Sequence, residues 1–140
     1  MAITPKPALE TYRPPTPIKL ALLWAALMFL YIYNDYFSLC LPGTIADMTA
    51  GRIGPLGHAS PQVLVGVSMM LAIPSLMIFL SVALPTLVSR WLNVALGVAY
   101  TGIEGMTFQG PLFYQIIVGF EIILTLLVVW YALKWPRNAN

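Results

Sequence analysis

Four long runs of apolar residues divide the chain, and almost all of its ionic charge lies between or beyond them. An α-helix needs about 20 apolar residues, at about 1.5 Å of rise each, to cross the hydrocarbon core of a bilayer, so each run is long enough. No alternation with a period of two, typical of a barrel strand, appears in them. The pattern predicts an all-α fold, a bundle of four transmembrane helices over residues 18–41, 63–84, 86–108 and 112–135.

Proline and glycine mark the ends of these predicted helices. Pro85 separates the second helix from the third and predicts a short turn on the cytoplasmic side. Gly110 and Pro111 separate the third helix from the fourth. Pro74 lies inside the second helix, where it removes a backbone hydrogen bond and predicts a kink. A neighbouring hydroxyl such as that of Ser75 would satisfy the carbonyl it leaves behind, or Pro74 would serve packing alone.

The segments outside the helices are short, apart from one outer loop. Residues 1–17 are rich in proline and are predicted to form an extended cytoplasmic arm without a core of its own. Residues 18–140 then form a single membrane domain. The loop over residues 42–61 is predicted to contain a short interfacial helix over 44–50, which ends at Gly51.

Composition and charge agree with a membrane protein and orient it. Hydrophobic residues make up 59% of the chain and charged residues 9%, against about 25% charged in a soluble domain. With four spans, one side receives six of the seven basic residues and the other side receives only Arg52. This bias predicts that both termini are cytoplasmic, as expected for a protein of a bacterial inner membrane. The six are Lys6, Arg13, Lys19, Arg90, Lys134 and Arg137.

Several kinds of chemistry are disfavoured by what the chain contains. Cys40 is its only cysteine and His58 its only histidine, so an internal disulfide, a dithiol redox pair and paired haem ligands are excluded. The chain has no phosphate-binding glycine loop, no nucleophile motif and no basic face for nucleic acid. We therefore predict a non-enzyme with no cofactor, no metal and no nucleic-acid partner.

Three acidic residues inside the predicted spans stand out, because a charged group at membrane depth costs about 3 kcal/mol on insertion scales. Glu121 lies near the bilayer midplane, and Glu104 and Asp35 lie about one turn inside the outer ends of their helices. Helical spacing places them on polar stripes that lipid would not tolerate, so the stripes should face one another. The other members of the stripes include Asn34, Arg90, Asn93, Tyr100 and Tyr114.

These stripes predict a polar pocket that opens toward the outer side. A tight turn between the third and fourth helices would place Glu104 opposite Tyr114, and Glu121 opposite Tyr100. Glu104, Asp35 and the two tyrosines would then converge above a floor formed by Glu121, with Asn34 as the sixth candidate for ligand or proton binding. Two hypotheses stand for the acids: they bind a proton, a cation or a polar head group, or they form hydrogen bonds that fix helix register. Arg90 is predicted to determine topology and Asn93 to join helices by hydrogen bonds.

Several local motifs resemble a family of small bacterial four-helix membrane proteins known only as a domain of unknown function. The resemblance runs from about Ile18 to Trp135. It implies a four-helix fold and no particular activity, and its plan is also loosely similar to DoxX-like proteins. The family pattern has a glutamate in the second helix where this chain has Ala72, so a site that depends on that carboxylate would be incomplete here. The motifs are Tyr31-x-Tyr33-x-Asp35, Leu39, Pro42-Gly43, Gly51, Ile73-Pro74, Met77, Leu80-Ser81, Leu84-Pro85, Arg90-Trp91-x-Asn93, Tyr114, Glu121, Trp130-Tyr131-Ala132 and Lys134-Trp135.

The sequence favours an accessory or interaction subunit, because the chain is short and lacks a catalytic constellation. Its partners would be the lipid bilayer together with a partner membrane protein or a second copy of the chain. The alternative is a small carrier or proton-linked transporter that uses Glu121 and the outer pocket.

Overall fold

The computed structural model of the chain describes residues 12–136, and helices dominate it. Their bounds agree with the four predicted ranges to within two residues, and the all-α class is confirmed. The predicted arm lies mostly outside the described residues, as do Lys6 and Arg137. In chain order the elements are α1 (Thr16–Leu39), α2 (Thr44–Thr49), β1 (Arg52–Ile53), a 3₁₀ turn (Gly54–Leu56), β2 (Gly57–His58), α3 (Pro61–Ala83), α4 (Thr86–Thr107) and α5 (Leu112–Leu133).

The ends of the helices have local causes that the sequence displays. The side chain of Ser60 accepts a hydrogen bond from the backbone N–H of Val63, at 3.3 Å, and so caps the start of α3. Pro85 stands directly before α4, so only Leu84 and Pro85 separate α3 from α4. Gly51 follows the short helix α2 with φ of +72°, a conformation that favours glycine and stops a helix. The predicted helix over residues 44–50 and its stop are confirmed. The sequence did not predict the two short strands, β1 and β2, that follow Gly51.

The four long helices form a bundle in which α1 packs between α3 and α5, and α4 packs along α5. Contacts between α3 and α4 are sparser. We call the end of the bundle that carries Lys19, Arg90 and Lys134 the basic end. The opposite end carries α2 and the hairpin formed by β1 and β2, and we call it the loop end. The apolar core lies in the half nearer the basic end, and its buried members are Leu20, Trp24, Leu27, Met77, Tyr100, Val128 and Ala132.

Three helices of the described chain, α1, α3 and α5, are long and apolar enough to cross a membrane. The length and apolar composition of these helices indicate a membrane protein. The fourth long helix, α4, has 22 residues but carries a stripe of polar side chains. This stripe, which includes Ser89, Asn93 and Glu104, lies inside the bundle.

Pro74 lies within α3, as predicted, and the hydroxyl that compensates for it comes from another helix. A proline at position 74 has no N–H to donate to the carbonyl of Met70, four residues earlier. The hydroxyl of Tyr100 in α4 donates to that carbonyl. The hydroxyl of Ser75, the sequence-based candidate, donates instead to the carbonyl of Leu71, at 2.9 Å. The hydrogen bond from Tyr100 to Met70, one of the few contacts between α3 and α4, therefore compensates for the proline.

Trp24 is buried, unlike the other tryptophans of the described chain. Tryptophan near a helix end is typical of an interfacial anchor, yet Trp24 is fully buried in the core. Its ring packs edge-to-face on Tyr100, with centroids 5.8 Å apart. Trp91 and Trp130 are about half exposed near the basic end, where an interfacial position is expected.

Candidate functional site

Three groups of polar side chains lie inside the bundle, and they differ in how completely they are hydrogen-bonded. The first surrounds Asn93 of α4, near the basic end. Its Oδ1 accepts bonds from Trp24 Nε1 of α1, at 2.7 Å, and from Ser81 Oγ of α3, at 3.2 Å. Its Nδ2 donates to the carbonyl of Ser89, at 2.8 Å. Asn93 thus joins three helices, and both ends of its amide have partners.

The second group surrounds Glu104 of α4, whose side chain is buried. Tyr31 Oη of α1 donates to one carboxylate oxygen of Glu104, at 2.7 Å. Thr125 Oγ1 of α5 donates to the other, at 2.9 Å. Thr101 Oγ1 in turn lies 2.8 Å from Thr125 Oγ1 and can donate to it. Because both oxygens accept a bond, Glu104 has the surroundings that a buried carboxylate requires.

The third group consists of Glu121 of α5 and Asn34 of α1, and it is incompletely bonded. Glu121 is 2% exposed and Asn34 is 6% exposed. The Asn34 amide lies beside the Glu121 carboxyl. Within residues 12–136, Glu121 Oε1 and Asn34 Oδ1 are buried without any hydrogen-bond partner. Two acceptors that lack donors thus lie close together in the interior.

A cavity of about 150 Å³ adjoins these two acceptors in the half of the bundle nearer the loop end. All four long helices contribute to its wall. Asp35 is exposed, whereas Glu121 is buried, so the acidic lining runs from the surface into the interior. The lining residues are Tyr31, Asn34, Asp35, Val67, Met70, Leu71, Ile103, Thr107, Tyr114 and Glu121.

Four of the six predicted pocket residues line this cavity: Asn34, Asp35, Tyr114 and Glu121. Glu104 and Tyr100 do not. Glu104 accepts a hydrogen bond from Tyr31, which lies between it and the cavity. The hydroxyl of Tyr100 donates to the carbonyl of Met70.

Sequence reasoning missed two parts of this site. Tyr31, which was not among the predicted pocket residues, both lines the cavity and donates a hydrogen bond to Glu104. The apolar wall supplied by Val67, Met70 and Leu71 of α3 was also missed, because apolar residues in a span carry no signal that separates a cavity wall from a lipid-facing surface.

The pairing of depths between α4 and α5 also differs from the expectation. Glu104 was expected opposite Tyr114 but binds Thr125, almost three turns further along α5. The reason lies in residues 108–111, which do not fold into a tight turn. Phe108 lies beside the second turn of α5, where a Cβ at Gly119 would come within 3.9 Å of the Phe108 ring. This connection shifts α4 along α5 and brings Glu104 toward the level of Glu121.

The side chains of the site do not form a metal centre. No group of three or more His, Cys, Asp or Glu residues that could hold a metal ion occurs in residues 12–136. His58 and Cys40 lie near the loop end, both exposed. The chemistry available at the cavity is therefore that of a carboxyl, an amide and phenol hydroxyls.

The chain belongs to a family of unknown function, DUF6326, whose model matches residues 16–140. The match covers all four long helices and every cavity residue. Comparison with curated proteins and with solved structures gives no match. The resemblance to a family without an assigned activity is thereby confirmed, and the looser similarity to DoxX-like proteins stays a prediction.

Proposed function

We propose that the chain is a four-pass protein of a bacterial inner membrane that binds a small hydrogen-bond-donating solute in its loop-end cavity. In this role it would act as a small carrier, with Glu121 as the principal ligand-binding group and Asn34 as its neighbour. The proposal has two parts, the crossing of the membrane by α4 and the binding of a solute, and different observations support them.

The distribution of side chains around α4 supports its role as the fourth span. Its polar residues Ser89, Asn93 and Glu104 are buried within the bundle, where they have partners. Lipid would therefore meet an apolar surface, although the average hydropathy of the helix is low. The large side chains that α4 exposes are Leu87, Val88, Trp91, Val98 and Met106.

The distribution of charge supports an orientation with both termini in the cytoplasm. Lys19, Arg90 and Lys134 lie at the basic end, which also receives the start of α1 and the end of α5. At the loop end the described basic residue is Arg52, and it forms an ion pair with Asp47. Basic residues are retained on the cytoplasmic side of inner-membrane proteins.

A single contrast carries the solute-binding part of the proposal. Asn93 and Glu104 are buried with partners at both polar ends, whereas Glu121 and Asn34 each keep an acceptor atom without a described donor. A buried polar group without a partner costs about 1 to 3 kcal/mol, and more if it is charged. Because the two acceptors adjoin a cavity, a ligand that carries donors would remove this cost. The arrangement is therefore that of a binding site.

Native mass spectrometry of the protein, extracted gently from its own membrane with lipids retained, tests this proposal. We expect a small bound species on the wild-type protein, and its loss in Glu121→Gln, whose amide supplies its own donor. Glu104→Gln is the matched control, because Glu104 is buried but does not line the cavity, and it should keep the species. A wild-type spectrum without a small species, or one that Glu121→Gln leaves unchanged, would overturn the proposal.

The accessory-subunit hypothesis is a prediction that the same spectrum tests. A second polypeptide at a fixed ratio would support it, and a monomer would speak against it.

A further inference from the structure

The cavity favours a particular chemical class of ligand. We infer that it binds a small primary ammonium ion, which takes the place of a proton on Glu121. This inference rests on the proposed solute-binding function and specifies its ligand. It is argued from the charge, the acceptors, the walls and the size of the cavity.

The charge of the lining favours a cation. Glu121 and Asp35 line the cavity. No lysine or arginine belongs to the lining that the structure describes. Acidic groups with low-dielectric surroundings attract cations and repel anions.

The acceptors favour a donor-bearing cation over a metal ion. Among the described residues, Glu121 Oε1 and Asn34 Oδ1 are buried acceptors without donors, and an –NH3+ group has three N–H donors to offer. A divalent metal ion in turn requires six or more oxygen ligands, or a tight cluster of acids and histidines. The described residues contain no such cluster.

The walls and the volume favour a short alkyl chain on the ammonium group. Val67, Met70 and Leu71 form one side, and the rings of Tyr31 and Tyr114 are present on others. Apolar walls suit methylene groups, and tyrosine rings attract cations. A volume of 150 Å³ corresponds to roughly five water-sized groups at about 30 Å³ each. A propylammonium-sized ion fits this limit, whereas a large drug-like cation does not.

Proton exchange follows from the burial of Glu121. Without a ligand, a proton on its carboxyl would remove the buried charge. When the ammonium ion binds, Glu121 becomes a carboxylate and releases that proton, so one positive charge replaces another. The titratable groups around Glu121 are Tyr31 and Asp35 of α1, Glu104 of α4 and Tyr114 of α5, while α3 contributes only apolar side chains.

Calorimetric titration of the purified protein in nanodiscs with n-propylammonium chloride, between pH 5 and pH 8, tests the inference. Propylammonium stays ionised there, since alkylammonium groups titrate near pH 10. Where Glu121 is protonated, we expect the apparent Kd to rise about tenfold for each unit that the pH falls. Titration in buffers of different ionisation enthalpy should show one proton released per ligand. Glu121→Gln should weaken binding at least tenfold, and Glu104→Gln less than threefold.

Matched probes separate the ligand class from the function. Tetramethylammonium has the charge without N–H donors, and 1-propanol has a donor without the charge; both should bind at least tenfold more weakly than propylammonium. If 1-propanol binds through Glu121 and propylammonium does not, the ammonium class is wrong and the solute-binding function stands. If Glu121→Gln alters neither, both are wrong. Should Glu121→Gln fail to fold, wild-type binding without proton release at any pH in the range would overturn the exchange.

Discussion

At the scale of single residues, Asn34 and Asn93 show what the same side chain does in two surroundings. Asn93 bonds to Trp24, Ser81 and Ser89 and so holds α1, α3 and α4 together. Asn34 is also buried, but its oxygen has no partner among the described residues. We assign stability to the first and ligand binding to the second, since a residue kept at a cost in stability is typical of functional sites.

This assignment predicts that replacing the two asparagines by alanine lowers the free energy of unfolding by different amounts. Asn93→Ala leaves the Trp24 N–H without its acceptor and should lower the free energy of unfolding by about 1 to 3 kcal/mol. Asn34→Ala removes no bond to the Asn34 oxygen, only the amide N–H beside the Glu121 carboxyl, and should cost less than half as much as Asn93→Ala. SDS titration of both variants in bicelles measures the difference. Equal losses would contradict the assignment.

Gly97 sets how closely α4 approaches α5. A Cβ at this position would lie 2.7 Å from Val129 Cγ2 and 3.3 Å from the carbonyl oxygen of Thr125. Small residues allow helix backbones in a membrane to approach closely. The bond from Thr101 to Thr125, one turn away, depends on the same approach.

Gly97→Val should therefore lower the free energy of unfolding by about 1 to 3 kcal/mol, because the helices must separate to admit the side chain. Gly102→Val is the control, since a Cβ at Gly102 meets nothing within 4 Å. The apparent melting temperature in detergent, followed by tryptophan fluorescence, compares the two. A control that loses as much as Gly97→Val would show that helix propensity, and not helix contact, is responsible.

At the scale of elements, Pro74 and Tyr100 form a unit that joins α3 to α4. The proline leaves the carbonyl of Met70 without its helical donor, and the tyrosine hydroxyl from the neighbouring helix replaces that donor. Met70 also lines the cavity. The helix around Pro74 and the cavity wall are thus held by the same hydrogen bond.

A double-mutant cycle should reveal this unit. Tyr100→Phe should cost about 1 to 2 kcal/mol of unfolding free energy, because the carbonyl of Met70 is then unsatisfied. In a Pro74→Ala background the new N–H at position 74 can bond that carbonyl, so Tyr100→Phe should cost less than half as much. Tyr33→Phe, at an exposed position, serves as a control for loss of a hydroxyl. Equal costs in both backgrounds would show that the two residues are independent.

At the scale of the whole molecule, the side of the membrane reached by each connection decides whether α4 crosses. Cys40 is the only cysteine and is exposed after α1. A membrane-impermeant maleimide applied to right-side-out spheroplasts should label it. In a Cys40→Ser background, Gln109→Cys should also be labelled from outside, and Thr86→Cys only after lysis. Positions 86 and 109 lie at opposite ends of α4 and are both exposed, so labelling of both from one side would contradict the four-pass topology.

Most of the fold could be read from the sequence, whereas the candidate site could be read only in part. The stripes containing Glu121, Asn34, Asp35 and Tyr114 were visible, because helical periodicity is a local property. The pairing of Glu104 with Thr125 was not visible. It depends on the four residues after α4, which lie beside the first turns of α5 and shift α4 along α5 from the expected register.

The sequence by itself determined the number, limits and polar faces of the long helices. In a membrane each helix must satisfy its backbone within its own segment, so its position is encoded locally by apolar length and by proline and glycine at the ends. The tertiary structure alone decided which buried polar groups have partners. Asn93, Glu104 and Glu121 are all polar residues at helical spacing, and only the relative heights of four packed helices give donors to the first two and leave the third beside a cavity. Hydrogen bonds form over about 3 Å, whereas one helical turn spans about 5.4 Å, so a shift of a single turn would redistribute every pair.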